Sequence, residues 1–195
     1  VYRIPTLNDL YWFPGGNLDI KAEYGYAGEV TLGYKLGNSR YFFEINGTAY
    51  SRIINRWIQW QPLSTQVWIP INIGKVRSQG IELRIKTNIV TGNNSRLGLQ
   101  ANADLCSSKN IDPNDINYDK QLMYVPLSKY AATLSFAIFN SSIYLGSIVV
   151  GERFTNSDNS AYLPYYYLIN AGVSQELKFR GRSGIIFFKI NNITK

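Results

Sequence analysis

The chain has 195 residues, a formal net charge of +7, a single cysteine and no histidine. The absence of histidine excludes Cys/His zinc sites and Ser-His or Cys-His catalytic pairs, and one thiol cannot form an internal disulfide. The 20 Lys and Arg residues are spread along the chain and form no run, which argues against a nucleic-acid partner. No stretch approaches the ~18 consecutive apolar residues of a transmembrane helix, so none is predicted.

The first element along the chain is an irregular aromatic segment, IPTLNDLYWFPGGN, at residues 4–17. Its two prolines and its paired glycines do not suit the interior of a strand. Its Tyr-Trp-Phe triplet is too aromatic for an ordinary solvent loop, because such loops favour small polar residues. The segment is therefore predicted to be neither the interior of a strand nor an ordinary solvent loop. Its role is inferred below from the elements that follow it.

From residue 22 onward, the sequence predicts eight antiparallel strands. Apolar and polar side chains alternate, as expected of strands with one apolar and one polar face. Ile81, Leu83 and Ile85, for example, project to one face, and the charged residues between them project to the other. The predicted strands are, in chain order, residues 22–35, 40–56, 77–90, 96–106, 127–139, 143–154, 163–178 and 184–192.

Short and long connections alternate between these strands. The short turns, at residues 36–39, 91–94, 140–142 and 180–182, contain Gly, Asn and Ser and suit tight hairpins. The long connections, at residues 61–77, 107–126 and 155–164, contain Pro, Asn, Asp and aromatic residues. Short turns at one end and long loops at the other are typical of an outer-membrane β-barrel, whose apolar face meets lipid. A soluble meander packed on a second sheet has the same alternation and stays open as an alternative.

The four tryptophans all fall at or near the predicted long-loop end of the sheet. They are Trp12, Trp57, Trp60 and Trp68. In membrane barrels, a girdle of aromatic rings lies at the boundary between lipid and water. The four residues are therefore candidates for such a girdle, with chance clustering of hairpin-end aromatics as the alternative.

Several segments resemble motifs of TonB-dependent outer-membrane receptors. Residues 2–11, YRIPTLNDLY, are similar to the family's aromatic-x-x-Pro-x-x-x-x-Leu-Tyr stretch. Residues 17–23 are similar to the Asn-x-x-Leu-x-Pro-Glu stretch that follows it, with Ala22 in place of the proline. Residues 72–82, NIGKVRSQGIE, resemble a family strand that follows a long loop, and residues 190–195 resemble its penultimate strand.

The family's next motif, Glu-x-Gly, is present here as Glu29-Val-Thr31, which is a second departure from the pattern. Within the family, the segment from Pro5 to Trp12 is most similar to vitamin B12 receptors. Because the matching segments span nearly the whole chain in the expected order, the resemblance implies an all-β fold of antiparallel up-and-down strands, part of a transmembrane barrel of about 22 strands with a plugged lumen. Residues 1–195 would be a fragment holding about its fourteenth to twenty-first strands, without the plug domain or the last strand.

The resemblance implies uptake of a scarce nutrient rather than catalysis. The ligand would be a corrinoid, a siderophore or a glycan, the location the bacterial outer membrane, and the partners outer-membrane lipid and the TonB complex, reached through the absent plug domain. No catalytic residue, metal or cofactor is implied. The opening segment would be an extracellular strand end and loop. Trp57, Trp60 and Trp68, expected on one long loop, are candidates for ligand contact, with the interfacial girdle as the alternative.

The same resemblance implies that inward-facing charges line the lumen, where they would contact the plug or water. These charges are Glu44, Arg52, Glu82, Arg84, Lys86 and Asp104. Two other function classes stay open. A soluble all-β module that binds a ligand or a sugar predicts apolar faces packed together, and a buried Glu44 or Arg84 would count against it. A glycoside-cleaving enzyme needs a carboxylate pair, and nothing in the sequence marks one.

Overall fold

The computed structural model describes residues 1–62, 67–179 and 181–194. Almost all of its regular structure is β, and the one helix is a single short turn of chain near the start. The elements are β1 (Tyr2–Arg3), α1 (Leu7–Tyr11), β2 (Glu23–Gly37), β3 (Tyr41–Pro62), β4 (Trp68–Gly92), β5 (Ser95–Asn110), β6 (Ser128–Ile138), β7 (Ser141–Val150), β8 (Arg153–Phe154), β9 (Tyr162–Leu163), β10 (Tyr166–Phe179) and β11 (Arg182–Ile190). No helix in the described residues is long and apolar enough to cross a membrane.

Nine of the strands form one antiparallel sheet in the order β1-β2-β3-β4-β5-β6-β7-β10-β11. Each strand pairs with its neighbour in sequence, apart from the step from β7 to β10, which passes over the small β8-β9 hairpin. Over the part of the chain that the structure describes, the sheet does not close on itself, and β1 and β11 are its edges. The prediction of an all-β, up-and-down antiparallel fold is confirmed, and the eight long strands are the eight predicted.

The boundaries of β3 and β4 differ from the prediction. Residues 61–77 were expected to form a long loop, but β3 runs to Pro62 and β4 begins at Trp68, with Trp60 opposite Pro70. Pro70 is tolerated because β5 pairs with β4 only from Val76 onward, so this part of β4 is an edge. The loop prediction for residues 63–66, the turn prediction at residue 180 and the motif match at residue 195 lie outside the described residues.

The opening segment also differs from the expected strand end and loop, because it contains helix α1. Thr6 caps the helix: its Oγ1 accepts a hydrogen bond from the Asp9 backbone N at 3.2 Å. In return, an Asp9 carboxylate oxygen accepts from the Thr6 backbone N at 2.9 Å. This reciprocal capping box provides partners for two backbone N–H groups at the start of the helix. The pattern Thr-x-x-Asp therefore accounts for a helix in a stretch that contains prolines and glycines.

The strand register separates polar from apolar side chains onto two faces. Glu44, Lys86 and Gln100 form one row of the polar face, because they are direct cross-strand partners. All six charges predicted to share a face do so, since register places the even-numbered residues of β3, β4 and β5 together. On the other face, Ile85 pairs with Ala101, and Ala101 pairs with Ala132.

The apolar face is not covered by a second layer in the described residues. Its side chains are largely exposed: Leu134 is 47% exposed, and Leu145, its neighbour on β7, is 53% exposed. Buried apolar side chains are few and lie mainly near the long-loop end, where Ile73, Val76 and Leu122 form a small core. A soluble β-sandwich buries its apolar face between two sheets, so this arrangement does not fit that alternative.

Candidate functional site

The long connections all leave the same end of the sheet, which is termed here the long-loop end. It consists of the N-terminal segment (residues 4–22), the described residues of β3 after 55 and of β4 before 76, and the two loops at residues 111–127 and 151–165. Hydrogen bonds between side chain and backbone join these parts to one another. The long-loop end is therefore a connected assembly, and the candidate functional residues lie within it.

Asp9 joins helix α1 to strand β3. One of its carboxylate oxygens receives the capping hydrogen bonds of Thr6, and the other accepts a hydrogen bond from the indole nitrogen of Trp60 at 2.9 Å. Asp9 is only 4% exposed. A buried carboxylate that accepts several hydrogen bonds is well satisfied, so it fixes the N-terminal segment against β3.

Glu23 makes a second connection to the same strand. One of its carboxylate oxygens accepts a hydrogen bond from the backbone N of Ile58 at 2.8 Å, and the other accepts from Arg3 Nε at 2.9 Å. Strand β2 begins at Glu23 and pairs with β3 only as far as Asn55. Among the residues that the structure describes, no strand pairs with β3 beyond that point on this side. The Glu23 side chain therefore satisfies a backbone N–H that the sheet leaves free.

Asn72 on β4 holds the end of the N-terminal segment. Its side-chain oxygen accepts from Lys21 N at 2.9 Å, and its amide nitrogen donates to the carbonyl oxygens of Lys21 at 3.0 Å and Arg56 at 2.8 Å. Arg56 has a positive φ of 58° and interrupts the pairing of β3 with β4. The asparagine therefore supplies a partner to the carbonyl of that irregular residue.

The charge state of Asp9 affects the stability of this connection. Burial works to raise the pKa of the carboxyl, but the hydrogen bonds from Thr6 and Trp60 and the charge of Arg3 outweigh it. The net pKa lies below the ordinary value of 3.8. Because the folded-state pKa is below the unfolded-state pKa, the carboxylate contributes stability that is present above the unfolded value and is lost as the pH falls through the folded one.

We therefore expect acid to weaken the fold through Asp9. Between about pH 5 and about pH 3, the free energy of unfolding of the wild type should fall more steeply than that of the Asp9→Asn variant, which has no proton to bind. Equilibrium unfolding at several pH values measures both slopes. Equal slopes would show that Asp9 titrates alike in the folded and unfolded states.

The loops at residues 111–127 and 151–165 are fastened together by Asn159. Its side-chain oxygen accepts from the backbone N of Gln121 at 2.8 Å, and its amide nitrogen donates to the backbone O of the same residue at 2.8 Å. Tyr124 N also donates to Phe154 O at 2.8 Å. Asn159 has a φ of 63°, a conformation that asparagine tolerates better than most residues. The two loops thus form one unit.

The Asn159→Gly variant should loosen this unit without straining the backbone. It removes both hydrogen bonds to Gln121 and keeps the positive φ accessible, so we expect a loss of about 1 to 2 kcal/mol in local stability. Limited proteolysis within residues 111–127 should become severalfold faster. Asn114→Ala, in the exposed part of the same loop, is the matched control and should leave the rate unchanged. Equal rates for the Asn159 variant and wild type would contradict the fastening role.

The three tryptophans expected on one long loop lie instead on two strands. Trp57 packs against the small core of Ile73, Val76 and Leu122, and Trp60 donates its indole N–H to Asp9. Trp68 is 40% exposed, and its ring centroid is 5.9 Å from that of Tyr124. Among the described aromatic pairs, none joins two of the three tryptophans. Trp57 and Trp60 therefore have structural contacts, and Trp68 is the most accessible of the three.

The structure brings together a set of polar residues that the sequence analysis does not single out. They surround a cleft between β3, β4 and the loops at 111–127 and 151–165. The cleft is lined by Gln59, Gln61, Ile73, Asn110, Asp115, Asn117, Lys120, Gln121, Leu122, Met123 and Ser157. The dense Asn, Asp and Gln content of residues 110–121 is the sequence signal that could have indicated it. Within residues 1–62, 67–179 and 181–194, no group of three or more His, Cys, Asp or Glu side chains is placed to hold a metal.

Proteins of known type are similar to this chain in sequence. The family model described as TonB dependent receptor-like, beta-barrel, matches residues 1–193. The vitamin B12 transporter BtuB of Photobacterium profundum is 26% identical over an alignment of 196 residues. The alignment covers 96% of this chain and 30% of the transporter. The vitamin B12 transporter BtuB of Vibrio vulnificus is 35% identical over 83 residues, 42% of this chain and 13% of that protein. The chain thus spans less than a third of the first relative.

Solved structures share the fold at low sequence identity. The copper transporter OprC superposes with a TM-score of 0.67 over 99% of this chain and 30% of its own, at 14% identity. The ferric yersiniabactin uptake receptor FyuA from Yersinia pestis has a TM-score of 0.59, covering 88% of this chain and 25% of its own, at 12% identity. At these identities the likeness establishes the fold alone.

Proposed function

This chain belongs to the TonB-dependent receptor β-barrel family, and we propose that it forms part of the barrel of a bacterial outer-membrane receptor that takes up a scarce nutrient. The observation that carries the proposal is the two-faced sheet. One face is apolar and exposed, the other is polar and charged, and the long loops leave a single end. A transmembrane barrel uses these features to face lipid, to line its lumen and to meet ligand outside the cell.

The rest of the receptor is proposed to lie outside this chain, which spans only 30% of its vitamin B12 transporter relative. That remainder would include the other barrel strands and a plug domain in the lumen, through which the TonB complex supplies energy. The polar face supports this role, because a charged lumen wall can hydrogen-bond a plug or water. Arg84, for example, keeps 68% of its side chain exposed on this face.

The ligand is proposed to be a small nutrient molecule rather than a substrate for chemistry. Proteins that are similar to this chain in sequence or in fold carry the names of a vitamin B12 transporter, a copper transporter and a ferric yersiniabactin uptake receptor. A corrinoid or a siderophore is therefore a candidate, and a glycan is a third. Of the three candidate tryptophans Trp57, Trp60 and Trp68, Trp68 is the best placed to contact it, because it is exposed at the long-loop end beside Tyr124.

Uptake by cells tests the proposal directly. A strain that lacks the receptor gene should fail to accumulate one of three labelled nutrients: cyanocobalamin, a ferric siderophore or a neutral oligosaccharide. The intact gene should restore accumulation, and a protonophore should abolish it, because transport through TonB needs the energised inner membrane. Restored binding that is insensitive to the protonophore would favour a ligand-binding module that does not transport.

A further inference from the structure

A groove crosses the apolar face at the short-turn end of the sheet, the end opposite to the long-loop end. Its volume is about 350 Å³. One wall is a cross-strand row of large apolar side chains, one each from β6, β7, β10 and β11: Phe136, Ile143, Val173 and Phe188. In the next row toward the short turns, Ser141 lies between Ile138 and Gln175. This small side chain leaves room that a larger one would fill.

The groove lies where the membrane-spanning part of the sheet would end. Strand β6 has 11 residues, about the length that crosses a bilayer, and its last residue, Ile138, lines the groove. The wall is open to the surroundings, since Ile143 is 52% exposed and Phe188 is 63% exposed. Under the proposed function, the groove therefore faces lipid near the boundary between hydrocarbon and headgroups.

One positive charge lies on the same face, beyond the groove. Arg182 pairs with Phe179, and the register places both on the face of Gln175 and Ile186. Among the described residues on the apolar face of β6, β7, β10 and β11, Arg182 alone carries a charge. It is exposed, and in the described part of the chain it has no ion pair or hydrogen bond. A guanidinium binds phosphate well, because it can donate two parallel hydrogen bonds to it.

The path from Arg182 to the groove is open. Arg182 is four positions from Ile186, which is about 13 Å along a strand. The residue midway between them on this face is Gly184, and a Cβ atom placed there would meet no other heavy atom within 4 Å. A molecule with an anionic head and an apolar chain can therefore contact both the arginine and the groove.

We propose that Arg182 and the groove bind one anionic phospholipid of the inner leaflet, an inference that rests on the proposed placement of the apolar face in lipid. The leaflet follows from the short turns, which lie on the periplasmic side of outer-membrane barrels. The phosphate binds the guanidinium, and one acyl chain lies against Ile143 and Val173. The volume is at the lower end of the range of about 300 to 1,000 Å³ for small-molecule sites, so it suits one chain rather than a whole lipid.

The test is lipid binding to the purified full-length receptor in detergent, measured by native mass spectrometry. The probes are dioleoyl phosphatidylglycerol, which is anionic, and dioleoyl phosphatidylcholine, which is zwitterionic. We expect the wild type to bind the anionic lipid roughly fivefold to tenfold more tightly. Arg182→Gln should remove this preference. Gly184→Leu, which fills the open path, should weaken binding of both lipids severalfold.

Two matched controls lie at the same end of the sheet on the polar face. Arg96→Gln removes one positive charge there, since the register places Arg96 on the face of Gln100. Ser183→Leu adds the same side chain as Gly184→Leu one position away, where Ser183 pairs with Lys178. Both controls should bind the two lipids as the wild type does. Equal thermal midpoints for the wild type and the variants confirm folding.

The outcomes separate this inference from the proposed function. Equal binding of the two lipids by the wild type overturns the inference, and so does a preference that Arg96→Gln loses as fully as Arg182→Gln. Competition by glycerol phosphate, which has no acyl chain, would identify a site for free phosphate instead. Dimers crosslinked through Ile143→Cys, with no lipid bound, would identify an interface between copies. In all these cases uptake by cells, and with it the proposed function, still stands. If neither lipid binds and the receptor stays in solution without detergent, both fail.

Discussion

The Ala132→Arg variant is expected to destabilise the barrel in a lipid bilayer by about 2 to 4 kcal/mol. Ala132 lies near the middle of β6, whose 11 residues suit a strand that crosses a membrane. Its cross-strand partners, Ala101 on β5 and Ser147 on β7, place it on the apolar face. A guanidinium there would have to leave water for hydrocarbon, where little offsets the loss of hydration.

The adjacent Thr133→Arg variant provides the matched control. Thr133 points to the polar face, and its partners, Gln100 and Gly146, carry no charge. The same arginine should therefore change the free energy of unfolding by well under 1 kcal/mol. Reversible urea unfolding of the full-length receptor in liposomes measures both variants. Equal losses at the two positions, or a larger loss at Thr133, would contradict the assignment of the faces.

Replacing Glu23 with alanine is the second change with a large expected effect, about 2 to 3 kcal/mol. The substitution leaves Ile58 N without an acceptor and Arg3 without its ion-pair partner. The Glu23 side chain is 4% exposed, so the groups left behind are poorly reached by water. Because 44% of the Arg3 side chain is exposed, water can solvate part of its charge, and the cost stays below that of breaking a fully buried pair.

The control for this prediction is Glu29→Ala on the same strand. Glu29 is exposed, and its side chain has no hydrogen bond or ion pair in the described residues, so its loss should cost less than about 0.5 kcal/mol. Hydrogen exchange adds a local readout: in the Glu23 variant the amide of Ile58 should exchange faster than in the wild type. An unchanged Ile58 amide would show that Glu23 does not protect the free edge of β3.

The strands and their faces were predictable from the sequence because both depend on local alternation. In β4, for example, Ile81, Leu83 and Ile85 alternate with charged residues, and only an extended chain places such residues on opposite faces. The observed register is consistent with this alternation, since a slip of one residue would bring charges to the apolar face. The family resemblance agreed with this pattern and is confirmed by the family match over residues 1–193.

The long-loop end could not be predicted in the same way, because its order depends on contacts distant in sequence. Asp9 accepts a hydrogen bond from Trp60, which is 51 positions away in the sequence, and Asn159 accepts one from Gln121, which is 38 positions away. The presence of Pro70 favoured a loop in the sequence prediction. The structure places it in a strand, which is possible because β5 does not pair with this part of β4, and the alternation of side chains does not reveal where such pairing ends. The cleft between β3, β4 and the two loops likewise forms only when β3 and the loop at residues 111–127 come together in the fold.

The most direct test of the central claim, that this sheet is part of a membrane barrel, is to label its two faces in the full-length receptor. An environment-sensitive dye is attached at Leu83, Ile85 or Leu99, one at a time, in liposomes, and at Arg84 or Gln100 for comparison. The register places the first three on the apolar face and the last two on the polar face. The barrel account predicts lipid at the first three positions and water at the last two. Labels at the first three positions buried in protein, in a receptor that stays in solution without detergent, would contradict it.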